Sequence, residues 1–416
     1  MKACAGDWVE VLSKEEILGT LDKNGRLDEL PFMPQMFKYC GQRFRIYKSA
    51  YKTCDTVSGH YAGRRLQDGF HLNLRCDGQA YGGCQAGCLI FWKGAWLKPV
   101  DGPAQVQYVP KRVPSPSQEA ASPPRCTESD VLGATKRQGA GGDAKYSCQA
   151  TELLNYTKPL SWWDARQYVD CYRSGNRTLP EIARGFLYLF YYYGTLAFSD
   201  RWGRPARWLY NRIQAITGGT PFPRMKGTIP VGQSTPRRDL NLRPGDLVRV
   251  KSYEEILATL DVRLSNRGLA FDAELVPFCG KVFRVSTCIE RFVDEKTGQL
   301  RWMKTPAVIL EGVSCKALYS GQRMFCPRSI HCWWREIWLE RVSIDACPRA
   351  TLASIQAGAC ATADKAASMP AVSPSQGATV GTKAESQPSS LPDGSFFNTL
   401  LANPREADKP VWKFTQ

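Results

Sequence analysis

Histidine is scarce in this chain of 416 residues, since only His60, His71 and His331 occur. So few imidazoles argue against a Ser–His–Asp triad and against a histidine-rich metal centre. The sequence also lacks a glycine-rich phosphate loop, an HExxH motif and a GxSxG motif, which disfavours the enzyme classes that depend on them. These absences favour a non-catalytic protein, and an enzyme of an unfamiliar type stays open as the alternative.

A secretory signal and a clear membrane span are also missing from the sequence. The chain reaches Asp7 before any apolar stretch can form, so we expect a cytoplasmic protein in a reducing compartment. The longest apolar run, from Ile182 to Phe198, contains Arg184 and several tyrosines, and no transmembrane helix is expected there. A core helix is the simpler interpretation of this run, and an interfacial membrane helix is the alternative.

Acidic residues are outnumbered, because 39 Asp and Glu face 55 Lys and Arg and leave a net charge of +16. From Arg201 to Arg238 there are eight Lys and Arg and no Asp or Glu, with aromatic residues interleaved. Such a basic stretch suits an anionic polymer or an anionic membrane surface, whereas a solvated helix face followed by a linker is the simpler alternative. The candidate anion-binding residues are Arg201, Arg204, Arg207, Arg212, Arg237 and Arg238.

The clearest pattern in the sequence is an internal repeat. Residues 6–48 align with 245–287 at an offset of 239 without a gap, and 18 of the 43 positions are identical. The two copies also end alike, since Trp92 and Trp96 correspond to Trp334 and Trp338. This spacing is far longer than the solenoid periods of about 20–50 residues, so the pattern indicates the duplication of one small unit.

Each copy is predicted to contain one early helix and several short strands. Ser13 and Ser252 each precede a glutamate by three residues, which is the capping-box spacing at a helix start. Residues 7–11 and 246–250 alternate as half-buried strands do, and residues 291–304 are predicted to form a hairpin with its turn at 294–298. The motifs PGDLVRV, CGKVFRV and WLERV resemble those of SH3-like barrels of the nitrile hydratase β-like and KOW-like types. The resemblance implies a fold and not a chemistry.

The predicted fold class is therefore α+β, with two homologous small SH3-like β-barrel domains joined by a linker and a central helical segment. The domains are placed at 1–100 for the first Cys-rich repeat and at 243–347 for the second. Between them, residues 101–148 are rich in Pro, Ser, Ala and Gly and are predicted to form a flexible linker, and residues 149–242 form the helical segment with the basic stretch. The tail, 348–416, is predicted to be disordered.

The cysteines form the one constellation with chemical meaning, since ten of the sixteen fall within the two repeats in the same order. Four thiolates suit tetrahedral Zn²⁺, although no Cys-x2-Cys pair occurs and all spacings except the three residues between Cys84 and Cys88 exceed the two to four usual between zinc ligands. One zinc ion per repeat is predicted, with an iron–sulfur cluster, buried apolar thiols or occasional disulfides as alternatives. The predicted ligands are Cys54, Cys76, Cys84 and Cys88, and then Cys288, Cys315, Cys326 and Cys332.

These patterns predict a non-catalytic binding or scaffold protein built on two Cys-rich, zinc-stabilised SH3-like modules. One alternative is a metal-dependent enzyme, or an accessory subunit of a biosynthetic enzyme. Another is a nucleic-acid-binding protein that uses the basic stretch 201–238. The partner is expected to be a protein or an anionic polymer, and peripheral attachment to an anionic membrane stays open. A site closed by four sulfurs would be structural, whereas three sulfurs and a water would permit catalysis.

Overall fold

The computed structural model describes residues 3–58, 62–103, 126–138, 144–197, 200–217, 219–230 and 232–343. The fold is α+β, with six α-helices in these ranges and several small antiparallel sheets. The helices are α1 (Lys14–Thr20), α2 (Glu128–Gly133), α3 (Arg166–Arg173), α4 (Leu179–Ala197), α5 (Asp200–Thr217) and α6 (Tyr253–Leu257). We call residues 6–100 the first unit and residues 245–342 the second unit, after the two copies of the repeat.

The first unit is built from short strands in separate small sheets, with the orders β10-β1-β4, β5-β8-β9 and β2-β3. A third three-stranded sheet, β13-β7-β6, includes a strand from outside the unit. The strands of the unit are β1 (Trp8–Val11), β2 (Arg26–Leu27), β3 (Leu30–Pro31), β4 (Arg43–Arg45), β5 (Lys48–Ser49), β6 (Lys52–Cys54), β7 (Gly63–Arg65), β8 (Gly69–His71), β9 (Trp92–Lys93) and β10 (Leu97–Pro99). Strands β11 (Lys136–Gln138), β12 (Ala144–Tyr146) and β13 (Lys158–Leu160) follow.

The second unit forms one five-stranded antiparallel sheet, in the order β19-β18-β17-β14-β20, and the small pair β15-β16. Its strands are β14 (Leu247–Val250), β15 (Ser265–Asn266), β16 (Leu269–Ala270), β17 (Val282–Val293), β18 (Leu300–Ser314), β19 (His331–Trp334) and β20 (Leu339–Arg341). The predicted hairpin at 291–304 is confirmed, because Val293 pairs with Leu300 at its end. Among the described residues no pairing closes this sheet into a barrel, so the SH3-like resemblance stays a prediction.

The two units begin and end with the same local structures. Ser13 and Ser252 each accept a hydrogen bond from the backbone N–H three residues on, and the glutamate there accepts from the serine N–H at 2.9 Å, which confirms both capping boxes. At the other end, Trp96 Nε1 donates to Thr20 at 3.1 Å and Trp338 Nε1 donates to the equivalent threonine at 3.0 Å. The repeat in the sequence is therefore a repeat of local structure as well.

The segment expected to be a linker contains packed structure in its second half. Helix α2 lies there, and its Val131 is buried in the core of the first unit together with Cys126. Thr127 caps this helix and accepts from the N–H of Asp130. Because these side chains bury apolar surface, this part of the predicted linker packs on the first unit, while residues 136–138 are exposed. Residues 104–125 and 139–143, and the predicted disordered tail 348–416, lie outside the described residues.

The two units exchange hairpins. The β6–β7 hairpin of the first unit reaches the second, where Lys52 Nζ donates to the carbonyl oxygen of Met324 at 2.7 Å. The β17–β18 hairpin of the second unit reaches the first, where Arg291 Nε donates to the carbonyl oxygen of Gly83 at 3.1 Å. Val293 at the tip of this second hairpin is buried in the core of the first unit. The core of the first unit is thus completed by a hairpin from the second, and the β6–β7 hairpin contacts the second unit in return.

Helices α4 and α5 pack together and onto the second unit through aromatic side chains. The rings of Tyr188 and Tyr319 meet edge to face at 4.9 Å, and those of Tyr191 and Tyr210 join the two helices at 5.0 Å. At Gly185 a Cβ would lie 2.4 Å from the ring of Phe325, so a glycine allows this close approach. Within the described ranges, no helix combines the length and the apolar character needed to cross a bilayer.

Candidate functional site

A small cavity lies where the two units meet, and four cysteines line it: Cys76, Cys84, Cys88 and Cys148. The space open to the centre of a water molecule is about 30 Å³. Val293, Glu295 and Arg328 of the second unit also line it, so the exchanged hairpin forms one of its walls. We call this space the thiol cavity.

Three of these cysteines are followed, two residues on, by a backbone N–H that favours the thiolate. The N–H groups of Gly78, Ala86 and Ala150 lower the pKa of Cys76, Cys84 and Cys148, respectively, against the larger rise that burial causes. Gly78 has φ +71°, and a Cβ there would lie 1.8 Å from the carbonyl oxygen of Cys84, so this turn requires glycine. The local backbone therefore offsets part of the effect of burial on these thiols.

The thiols of the cavity are protonated at neutral pH. Burial raises the pKa of Cys148 to about 11, although the N–H groups of Thr151 and Ala150 oppose this shift. Burial likewise raises the pKa of Cys76, and the neighbouring Cys148 adds to the effect. Two further donors touch the sulfurs, because Gln35 Nε2 lies 3.1 Å from the sulfur of Cys76 and the N–H of Val293 lies 3.3 Å from that of Cys84.

A buried ion pair stands beside the thiol cavity. The Arg328 guanidinium donates to both carboxylate oxygens of Glu295 at 3.2 Å and to Thr56 Oγ1 at 2.7 Å. Both charged side chains are almost fully buried, with exposed fractions of 3% and 4%. The hydroxyl of Thr56 also donates to the Glu295 carboxylate. This network of hydrogen bonds joins Thr56 of the first unit to Glu295 and Arg328 of the second, so the buried charges have hydrogen-bond partners.

A second group of thiols packs together in the second unit: Cys54, Cys315 and Cys326. Cys54 belongs to the exchanged hairpin of the first unit, and it packs against Cys326. Burial alone would raise the pKa of Cys326, but the thiol of Cys54 and the N–H of Arg328 outweigh it and lower the pKa below its ordinary value. All cysteines in the described ranges are free thiols.

The structure regroups the two predicted zinc ligand sets. Cys76, Cys84 and Cys88 do come together, but Cys54 joins Cys315 and Cys326 because its hairpin is exchanged. Cys288 lies apart, with its thiol donating to the carbonyl oxygen of Leu242 at 3.2 Å. In the arrangement described, no three His, Cys, Asp or Glu side chains of these ranges are placed to hold a metal ion.

Sequence reasoning missed Cys148, which lies outside the repeats and between them along the chain. A signal for it was present, since Cys84-Gln85-Ala86 and Cys148-Gln149-Ala150 have the same three residues. In both segments the N–H of the alanine lowers the pKa of the cysteine, against the larger effect of burial. Gln149 fixes its segment to the first unit, because its Nε2 donates to the carbonyl oxygens of Pro31 at 3.0 Å and Phe91 at 2.9 Å.

The predicted anion-binding residues do not form one continuous surface. Arg212 is exposed on α5, with its guanidinium 5.8 Å from the ring centre of Trp208, and Arg207 is half-buried on the same helix. Arg237 and Arg238 instead line a separate pocket of about 130 Å³ with the buried Arg335. The side chains of Arg201 and Arg204 lie outside the described residues. The stretch 201–238 is therefore divided between a helix and a pocket.

This arginine pocket carries positive charge on one side and carboxylates on the other. Burial lowers the pKa of Arg335 to about 10, and Arg237 and Arg267 lower it further by repulsion. Arg237 is paired with Asp239 at 2.9 Å, and Glu336 accepts hydrogen bonds from backbone N–H groups at the pocket wall. The paired charges make this pocket a weaker anion site than the count of arginines suggests.

A group of large apolar side chains is exposed on helices α4 and α5. The buried sides of the helices carry Ile182, Tyr188, Leu189, Tyr192 and Tyr210, while the other sides present an apolar stripe with helical spacing. We call this stripe the helical face, and it comprises Leu179, Phe186, Leu187 and Phe190 of α4 and Trp208, Leu209, Ile213 and Ile216 of α5. The exposed fractions reach 80% at Phe190 and 84% at Ile216.

Comparison with known proteins yields no relative: no protein-family model, no curated protein and no solved structure matches the chain.

Proposed function

We propose that this chain is a non-catalytic binding protein that attaches to the surface of an anionic membrane through the helical face. The observation that carries the proposal is the exposure of large apolar side chains and arginines on the same two packed helices, α4 and α5. A soluble monomer rarely exposes so many large apolar groups together without a partner. Helices that combine such a stripe with cations lie in the interface of a bilayer.

Charge complementarity favours an anionic lipid surface as the occupant of this face. The segment 158–226 contains eleven Lys and Arg against four Asp and Glu. Three of those acids are already paired with arginine: Asp164 with Arg166, Asp170 with Arg65, and Glu181 with Arg177. Arg184 and Arg212 are exposed, and no ion pair holds either among the described residues. Each such cation near an anionic surface contributes about 1 kcal/mol.

Exposed tryptophans support the same occupant. Trp162 and Trp163 are exposed in the turn before α3, and Trp208 is exposed on α5. Tryptophan rings sit favourably at the level of lipid headgroups, where one side of the ring is apolar and the N–H is wet. A nucleic-acid track finds less support, because Arg224 stacks on Tyr192 at 4.8 Å and Arg237 is paired, which interrupts the basic stretch.

The test is sedimentation of the full chain with vesicles of phosphatidylserine and phosphatidylcholine, and with vesicles of phosphatidylcholine alone. We expect binding to the anionic vesicles, weakened by salt. Arg184→Ala and Arg212→Ala should each weaken it about five-fold, and Phe190→Ser should weaken it about ten-fold or more. These side chains are exposed, so the variants should keep the fold. Trp302→Ala and Arg249→Ala are the matched controls, since both residues are exposed on the second unit away from α4 and α5.

Three outcomes would contradict the proposal. Equal binding to neutral and anionic vesicles would remove the role of the arginines. Tight binding to single-stranded RNA with no binding to vesicles would favour the nucleic-acid alternative. Self-association that Phe190→Ser abolishes, again without vesicle binding, would show that the helical face is covered by another copy of the chain.

A further inference from the structure

We propose that the thiol cavity is a metal site, in which Cys76, Cys84, Cys88 and Cys148 bind one Zn²⁺ ion, and that each chain carries one such site. The inference is independent of the membrane proposal, since the cavity lies between the units and the helical face lies on α4 and α5. It also departs from the sequence prediction of two sites, because one ligand comes from outside the repeats and the second set is incomplete.

The donor set and the size of the cavity both favour a single ion. Four thiolates are a complete ligand set for tetrahedral zinc, which takes sulfur ligands readily. The cavity has about 30 Å³ of space for the centre of a water molecule, whereas one water needs about 10–15 Å³. Such a space suits one cation and is too small for an iron–sulfur cluster of several metal and sulfide atoms.

Hydrogen-bond donors at two of the sulfurs are a second and independent reason. Gln35 Nε2 lies 3.1 Å from the sulfur of Cys76, and the backbone nitrogen of Val293 lies 3.3 Å from that of Cys84. Hydrogen bonds of this kind stabilise the thiolate and fix its direction, as the outer partners of metal ligands do. A cysteine that serves only as a small apolar residue needs no such set of donors.

Binding of the ion requires the four thiols to lose their protons. One Zn²⁺ ion replaces four protons, which are released to solvent, and no electron is transferred. The sulfurs then turn toward the centre of the cavity.

The equivalent place in the second unit lacks a fourth thiol. In the first unit the N–H of Cys76 donates to the carbonyl oxygen of Cys88 at 2.9 Å, and in the second unit the N–H of Cys315 donates to that of Ile330 at 2.8 Å. Ile330 therefore occupies the position of Cys88. The thiols that remain together are Cys54, Cys315 and Cys326. Cys332 lies two residues after Ile330 and is buried in the core of the second unit.

The test is metal analysis of the full chain purified without chelator and then loaded with Zn²⁺ alone. We expect about one zinc per chain. Cys76→Ser and Cys148→Ser should lose at least nine-tenths of that zinc, whereas Cys288→Ser, which changes a cysteine outside the cavity, should keep it. Co²⁺ in place of Zn²⁺ should give the visible absorption of a tetrahedral thiolate site in the wild type and in Cys288→Ser, and not in Cys148→Ser.

A second measurement covers the case in which a variant fails to fold. The wild-type chain is alkylated with and without Zn²⁺, and the modified cysteines are identified by mass spectrometry. Zinc should slow the alkylation of four cysteines: Cys76, Cys84, Cys88 and Cys148. It should leave the alkylation of Cys54 and Cys326 unchanged. Any one of four results would overturn the proposal: no zinc in the loaded chain, full zinc in Cys148→Ser, two zinc ions per chain, or bound iron with visible absorption.

Discussion

At the scale of single residues, His71 shows how burial decides protonation in this protein. Its side chain is fully buried, and its Nδ1–H donates to the carbonyl oxygen of Ile90 at 2.8 Å. Its Nε2 has no hydrogen-bond partner among the described residues. Burial lowers the pKa of His71 to about 3, and it lowers that of His331 to about 4. Both imidazoles are therefore neutral at physiological pH, and neither is available as a cation for anionic partners.

These histidines predict a fall in stability on mild acidification. The unfolded chain binds protons on histidine near pH 6.5, whereas the folded chain binds them only near pH 3 to 4. The free energy of unfolding should be unaffected by them above pH 7 and should fall below pH 6.5, by up to about 1.4 kcal/mol per pH unit for each histidine. Urea unfolding of the wild type and of His71→Leu between pH 7.5 and 4.5 measures this. An unchanged pH slope in His71→Leu would contradict the assignment.

The candidate site was partly predictable from single residues. The sequence grouped Cys76, Cys84 and Cys88 in one predicted site, and all three line the cavity. This grouping was predictable because residues close in the sequence stay close in the fold. Cys54 was grouped with other thiols than those it packs against, since its position depends on where the β6–β7 hairpin docks. Cys148 was missed, since it comes from a segment outside the repeats. Sequence spacing reports local turns, and it carries no information on which core a strand will cover.

At the scale of elements, local signals were reliable and their placement was not. The capping boxes at Ser13 and Ser252 and the turn after Val293 form as predicted, because each depends on interactions within about five residues. The packed helix α2 was missed, since its short sequence lies within a region rich in turn-forming residues. The exchange of the hairpins could not be predicted from the sequence either. Alternation of apolar and polar residues shows that one face of a strand is buried, but it does not show which part of the protein covers that face.

The exchange makes a prediction about Val293, which belongs to the second unit by sequence and to the first unit's core by packing. Val293→Ala should destabilise the protein by about 2 kcal/mol, as the deletion of buried methyl groups does. Hydrogen exchange should show the loss of protection in strands β8 and β9 of the first unit. Val262→Ala, at a more exposed position of the second unit, is the control and should have little effect. Loss of protection confined to the second unit would contradict the exchange.

At the scale of the whole molecule, the two units are expected to unfold together. The core of the first unit contains Val293 of the second, and the buried pair of Arg328 and Glu295 would lose its partner Thr56 if the units separated. Leaving such buried charges without their partners costs several kcal/mol. Calorimetry of the full chain should therefore show one transition whose calorimetric and van't Hoff enthalpies agree. Two resolved transitions, one for each unit, would refute this coupling.

The contact between Thr56 and Glu295 has a consequence for the origin of the interface. The two residues are 239 positions apart, which is the offset of the repeat itself, so each occupies the same place in its own copy. A residue that meets its own equivalent lies on the two-fold axis of an isologous pair. In a homodimer of single units, two identical side chains would have to face each other there. Joining both copies in one chain removes that constraint, and here it sets a hydroxyl donor against a carboxylate acceptor.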